Sequence, residues 1–310
     1  MAPGMNKREI SVAGDERCRF RPIKGGGLRM VLRVTMKCDL ACPHCLAAKR
    51  KGYAELATRQ WLTLISQFPG IGVEKVLLTG GEPLLRDDIV TIVEAISHVG
   101  IQADLNSNLQ RMDLGLIREL KQAGLSEISV SLEGPEEVHD RMHGRIGSYA
   151  RLIEAINWAA ENNIPVDTSC CLTKDNYNHI VDLINIAGKL PVRSLTFSRL
   201  LPIGHGYGSR LTLTQEQLNA CYDSIQREMV SGAPIPIRVT GLLGAPRQKD
   251  CERGTSLIAI SPDGRLLGCV LTEDNPSIQD PLKTGLRPAL EYLRGDLSKH
   301  QFAQCWQEGT

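Results

Sequence analysis

The 310-residue sequence carries no excess of charge of either sign. Its 36 lysines and arginines nearly cancel its 35 aspartates and glutamates, leaving a formal charge of +1. There is no basic run either, so the electrostatic footprint of a nucleic-acid-binding protein is missing. No apolar stretch approaches the roughly 20 residues that a membrane-spanning helix needs. The opening segment, MAPGMNKREISVAGDERCRF, lacks the apolar core of a secretory signal, which makes the cytoplasm the expected location. Internal repeats and low-complexity tracts are also absent. With 42% hydrophobic and 23% charged residues, the composition is that of an ordinary soluble globular protein. The length suits one large α/β unit with a small appendage.

Cysteine, in contrast, is abundant, with ten in the chain. A disulfide framework fits poorly, because a chain this long can bury its own core and shows no secretory signal. Three of the ten fall together in Cys38-Asp39-Leu40-Ala41-Cys42-Pro43-His44-Cys45, which points to metal or cluster binding. For an isolated cysteine the plain alternative is a buried small hydrophobe.

Residues 1–27 are polar and end in Gly25-Gly26-Gly27, a flexible lead-in. Beyond them, β-branched runs alternate with helical spacing. Strands are expected at 30–34, 75–79, 101–106, 127–132, 165–171 and 193–200. Helices are expected at 57–68, 86–98, 113–123, 148–162 and 177–188. Six strands separated by helices imply a parallel sheet with right-handed crossovers, either open or closed toward a barrel. In both cases functional loops lie at the carboxyl ends of the strands. After Leu200 the texture changes to a turn-rich connector, a helix over 214–230, and short strands around Pro262-Asp263-Gly264. A boundary near 210 thus divides an α/β unit, 28–210, from a smaller α+β unit, 211–310.

The Cys-x3-Cys-x2-Cys loop follows the first strand. Zinc sites generally take four protein ligands, whereas three thiolates on a cubane leave one iron open. His44 sits inside the tight loop and is poorly placed as a fourth ligand. The loop resembles that of the radical S-adenosylmethionine superfamily. Downstream, Thr79-Gly80-Gly81-Glu82-Pro83 is similar to the family's second-strand motif, and Asn106-Ser107-Asn108 ends the third strand. Ser129-Val130-Ser131-Leu132-Glu133-Gly134, followed by Val138-His139-Asp140, is similar to its fourth-strand motif. The resemblance implies a partial (β/α)6 barrel and a [4Fe–4S] cluster on Cys38, Cys42 and Cys45. It also implies S-adenosylmethionine held at its amino group by Gly80, Gly81, Glu82 and Pro83, with Asn106, Asn108 and Ser131 beside it. Arg145 or Arg141 would pair with the cofactor carboxylate. One electron, from a donor such as flavodoxin or ferredoxin, would then yield a 5′-deoxyadenosyl radical that abstracts hydrogen from a C–H bond.

Cys251, Gly264 and Cys269 follow the spacing Cys-x12-Gly-x4-Cys, with the expected hairpin between them. This resembles the start of the SPASM and Twitch auxiliary-cluster domains. The short Twitch-like form is the better match, which implies a second [4Fe–4S] cluster with Cys251, Cys269 and Cys305 as ligands. Cys221, Cys18, a non-cysteine group or the substrate would complete it. Cys170-Cys171 ends the fifth strand, so alternation turns one of the pair toward the lumen.

Domains of this type resemble those of alcohol-oxidising, epimerising and peptide-modifying enzymes. About 27 residues before the first strand are too few for an amino-terminal peptide-recognition domain. The expected substrate is therefore a small polar natural-product intermediate of aminocyclitol or aminosugar type. The expected outcome is epimerisation, with a thiol returning the hydrogen: Cys251 first, then Cys171 or Cys170. A dehydrogenase using the auxiliary cluster, a peptide maturase and a non-catalytic iron–sulfur or zinc module are the alternatives. Gly80-Gly81-Glu82-Pro83 argues against the last, since such a module needs no cofactor-amine site.

Overall fold

The computed structural model of the chain describes residues 27–46, 54–201, 210–240, 257–267 and 281–289. The six expected strands are present as β1 (Leu28–Thr35), β2 (Val73–Gly80), β3 (Gln102–Asn106), β4 (Leu125–Ser131), β5 (Val166–Leu172) and β6 (Leu195–Arg199). Each pairs in parallel with the next. The intervening helices are α1 (Thr58–Ile65), α2 (Ile89–His98), α3 (Leu114–Gln122), α4 (Glu136–His143), α5 (Ser148–Glu161) and α6 (Ile180–Ala187). This is the mixed α/β fold of a partial barrel.

Alternation along the strands separates two faces. Met30, Leu32, Val76, Leu78, Leu105 and Ile128 point to the helices and join one continuous buried core. Residues one position along point the other way. There Arg33 is in register with Thr79, Asn106 with Ser129, and Cys171 with Ser198. A parallel sheet buried on both faces ordinarily carries apolar residues on each. Here the inner face carries hydroxyl, amide and charged groups, apart from an apolar strip of Val31, Leu77, Leu257, Ala259 and Leu267. Near the amino ends of the strands, Lys75 pairs with Asp104 and Glu127, while Arg193 bridges Glu127 and Asp167. Burial pushes the Asp104 carboxyl up to about 7, and the neighbouring Glu127 adds to the rise against the pull of Lys75.

The sheet continues past the expected boundary at 210. Helix α7 (Gln215–Ser231) leads into β7 (Ile237–Thr240), which adds to β6 in parallel. The 257–267 hairpin forms as expected, with β8 (Leu257–Ile260) antiparallel to β9 (Leu266–Leu267). It is not a separate unit, however, because β8 runs parallel to β1 from Arg29↔Leu257 to Leu32↔Ile260. The order is therefore β7-β6-β5-β4-β3-β2-β1-β8-β9. A short helix α8 (Pro281–Thr284) follows, and residues 286–289 are helical after it. Helix α4 was not foreseen, because its sequence EEVHDRMH lacks an apolar stripe. It buries Val138, His139 and His143 all the same. No helix among the described residues is long and apolar enough to cross a membrane.

Candidate functional site

The cysteine loop leaves β1 at the carboxyl edge of the sheet and is seated on the end of β2. Gly81 N–H donates to the Thr35 carbonyl at 2.8 Å, and Glu82 N–H donates to the Lys37 carbonyl at 2.7 Å. A Cβ on Gly80, whose φ is +146°, would fall on the Thr35 carbonyl oxygen, and one on Gly81 would fall on that of Lys37. The glycine pair thus serves backbone-to-backbone packing between β2 and the loop. Glu55 fixes the start of the loop from outside, accepting from Thr35 Oγ1 at 2.7 Å and Met36 N–H at 3.1 Å.

Cys38, Cys42 and Cys45 are all half-buried and form no disulfide. Burial, then the neighbouring Cys45, Glu133 and Cys38, push the Cys42 thiol up to about 12. Burial raises Cys38 as well, with Glu82, Asp39 and Cys45 adding to it. Binding the three as thiolates would need a positive centre among them to offset that cost. Among the described residues no three histidine, cysteine or carboxylate groups converge as a single metal ion requires. Three cysteines on one short loop, with no fourth protein ligand beside them among the described residues, fit a [4Fe–4S] cluster that keeps one iron open. His44 is engaged elsewhere, with Nε2 3.3 Å from Glu133 Oε1.

Glu82 is fully buried and braces the site. Its carboxylate accepts Leu84 N–H at 2.9 Å, Ser107 Oγ–H at 2.7 Å and Asn108 N–H at 2.7 Å. Burial nonetheless pushes its carboxyl up to about 7. Pro83 is buried beside it, opening a short 3-10 turn. Asn106 Nδ2 donates to Thr79 Oγ1 at 3.1 Å on the inner face. Asn108 stands in a turn closed by Leu109 at φ 60°, an unusual conformation for a branched side chain, and Leu109 is wholly buried. Asn108 Nδ2 lies 2.9 Å from Asp39 Oδ1 and 4.0 Å from Cys38 Sγ. The other Asp39 oxygen faces Arg111 Nε at 3.3 Å and Arg145 Nη1 at 3.7 Å. Arg145 is thus placed at the loop's own acid, while Arg141 Nη2 reaches the Asp175 carbonyl.

A second hub follows β4, beyond Ser131 on the inner face. Glu133 is buried; besides His44 it accepts Cys171 N–H at 2.8 Å. Its own N–H donates to His139 Nδ1 at 3.3 Å, and its carbonyl accepts Asn176 Nδ2 at 2.9 Å. Burial opposes its charge, but His44 foremost, with His143 and Cys171 N–H, holds the carboxyl below its ordinary range. His139 and His143 pack with ring centres 4.0 Å apart. Burial pushes them down to about 4 and about 3. Asp140 accepts Ser148 Oγ–H and Tyr149 N–H, both at 2.8 Å, at the start of α5.

Alternation decides the cysteine pair. Cys171 lies on the inner face. Cys170 is buried on the helix-facing side, with Sγ 3.3 Å from Asn176 Nδ2, and burial holds its thiol well above the ordinary range. That position removes Cys170 from the groups able to meet a substrate. Cys221 lies on α7 and is buried in the core, and burial raises its thiol to about 11. Cys18, Cys251, Cys269 and Cys305 lie outside the described residues. Asp39 and Glu133 were missed as organisers. The available signal was an acid inside the cysteine loop and another at a strand end.

A family profile described as Radical SAM superfamily matches residues 32–187. Among curated relatives, the PqqA peptide cyclase of Bradyrhizobium diazoefficiens is 30% identical over 290 residues, 90% of this chain and 73% of the relative. The GTP 3′,8-cyclase of Clostridium perfringens is 26% identical over 276 residues, 82% of this chain and 84% of the relative. Among solved structures, Streptococcus suis SuiB bound to precursor peptide SuiA aligns with a TM-score of 0.76 at 18% identity, covering 88% of this chain and 67% of SuiB. At that identity the likeness concerns the fold.

Proposed function

The chain belongs to the radical SAM superfamily, and from that premise we propose that it modifies a peptide. Its cofactors are a [4Fe–4S] cluster and S-adenosylmethionine, which together supply hydrogen-atom abstraction from an unactivated C–H bond. The observation that carries the peptide reading is the 30% identity to a peptide cyclase over 90% of the chain. That similarity includes the barrel, where the reacting part of a substrate must sit. It therefore outweighs the inference from the short lead-in, which addressed only an appended recognition domain. Among the described residues nothing favours an aminocyclitol or aminosugar, the substrate class expected from the sequence.

In this reading Cys38, Cys42 and Cys45 hold the cluster, and Asp39 and Glu133 hold their loop in place. Gly80 and Gly81 let β2 approach the loop, while Glu82 fixes the turn of Ser107 and Asn108. The row of Thr79, Asn106, Ser131 and Ser198 supplies hydrogen-bonding groups along the inner face. Cys171 is the described thiol from which a hydrogen atom would return to a substrate carbon in an epimerisation. An auxiliary cluster on Cys251, Cys269 and Cys305 remains part of the proposal, as does Cys251 in place of Cys171 as the donor.

The test is anaerobic incubation with S-adenosylmethionine, a low-potential reductant and the short peptides encoded beside the gene, followed by high-resolution mass spectrometry. A product two hydrogens lighter indicates a cross-link or oxidation. One deuterium gained from heavy water without net oxidation indicates epimerisation at Cys171 or Cys251. Turnover of a nucleotide or other small molecule, with every such peptide unmodified, would overturn the peptide reading.

A further inference from the structure

We infer that Asn108 sets the reduction potential of the cluster through a side-chain amide hydrogen directed at the Cys38 sulfur. The orientation of the amide is fixed by its own partners. Gln110 N–H donates to Asn108 Oδ1 at 2.9 Å, so the oxygen end is taken and the nitrogen end faces the cysteine loop. Asp39 Oδ1 accepts one hydrogen of Nδ2 at 2.9 Å. The second hydrogen belongs to the same nitrogen, 4.0 Å from Cys38 Sγ and at the outer reach of an N–H···S bond. Asn106 is not an equivalent donor, since its Nδ2 is directed to Thr79 Oγ1.

The turn that presents Asn108 is held more firmly than an ordinary loop. Its N–H is bonded to the buried Glu82 carboxylate, and Ser107 Oγ both donates to Glu82 and accepts Leu109 N–H at 2.9 Å. Leu109 occupies the left-handed region at φ 60° while wholly buried. Such strain persists only where the surroundings over-determine it. The direction of the effect follows from charge. Reduction adds negative charge to the cluster and its sulfurs, and a donor at a sulfur stabilises that charge, raising the potential. Asn108 acts through Cys38 and is a positioning residue, not a catalytic one. The inference rests on the cluster at Cys38, Cys42 and Cys45 and is independent of the substrate.

The experiment is an EPR-monitored redox titration of the anaerobically reconstituted full chain. The relevant signal is the one that changes when S-adenosylmethionine is added. Asn108→Leu removes the donor without adding charge. Asn108→Asp keeps an acceptor for Gln110 but places a carboxylate beside Asp39 and the sulfur. Both variants should hold wild-type iron and sulfide and titrate at a more negative potential, the Asp variant further than the Leu variant. Should a variant fail to assemble, the wild type decides by itself: with asparagine labelled with 15N only in the side chain, pulsed EPR should show one nitrogen coupled to the reduced cluster. Full iron with an unshifted potential, or no side-chain nitrogen coupling, would overturn this inference alone. A protein without a cluster at these cysteines would overturn the cluster assignment with it.

Discussion

Glu82 exposes the balance between burial and hydrogen bonding in the site most directly. Its carboxylate is wholly buried and accepts from Leu84 N–H, Ser107 Oγ–H and Asn108 N–H. Glu82→Ala leaves those donors without a partner. At roughly 1–3 kcal/mol for each of the three buried groups left unsatisfied, the loss should reach about 3–9 kcal/mol. Glu82→Gln is the sharper probe. Burial raises the Glu82 carboxyl to about 7 in the folded protein, against about 4.3 in an unfolded chain. Between those values the native state binds more protons than the unfolded one, so this group's contribution to stability is lost as pH rises. From pH 5.5 to 8 the loss is ~2 kcal/mol, and glutamine, which does not titrate, is spared it. At pH 5.5 Gln should cost about 1–2 kcal/mol, because its amide group opposes one of the three donors. By pH 8 the gap should close or reverse. Scanning calorimetry of anaerobic holoenzyme without S-adenosylmethionine would follow this as a change of roughly 3 °C in the difference between the two melting temperatures. Parallel wild-type and Gln profiles across that range would refute the reasoning.

Alanine at Cys38, Cys42 or Cys45 should abolish reductive cleavage of S-adenosylmethionine, since two thiolates cannot hold the cubane; cleavage at the wild-type rate would contradict the cluster assignment. Iron and sulfide analysis should find about eight irons, and about half should survive loss of all three cysteines; a wild-type count near four would dismiss the auxiliary cluster. Gly81→Ala drives a Cβ into the Lys37 carbonyl and should cost more than about 2 kcal/mol, read as a lowered melting temperature. Gly70→Ala, with nothing within 4 Å of its Cβ, should change little. Cys171→Ala should preserve cofactor cleavage while stopping an epimerised product, whereas Cys170→Ala should act on stability by about 1 kcal/mol; the reverse pattern would move the donor role to Cys170.

Local chemistry wrote much of this protein openly. The strand and helix alternation up to β6, the cysteine triplet and the Gly80-Gly81-Glu82-Pro83 segment could be located because each depends on residues close in sequence. A period of two marks a strand, a Pro-Asp-Gly turn marks a hairpin, and three thiols on one short loop mark a cluster. The relation between distant segments was not legible. Residues 257–260 pair with β1 more than two hundred residues earlier, and a strand's own pattern does not name its neighbour. Helix α4 is polar by composition, yet lies against the cysteine loop, with Ala41 N–H donating to the His143 carbonyl at 3.4 Å.

Side-chain roles divided in the same way. The sequence by itself determined which thiols share one short loop and which strand ends carry polar groups. Only the tertiary structure decided that Glu82 and Glu133 are buried braces, that Asp39 draws in Arg145, and that Cys171 rather than Cys170 lies on the inner face. A carboxylate's role depends on which donors surround it and how much water is excluded. Those are set by segments that meet only when the sheet is assembled.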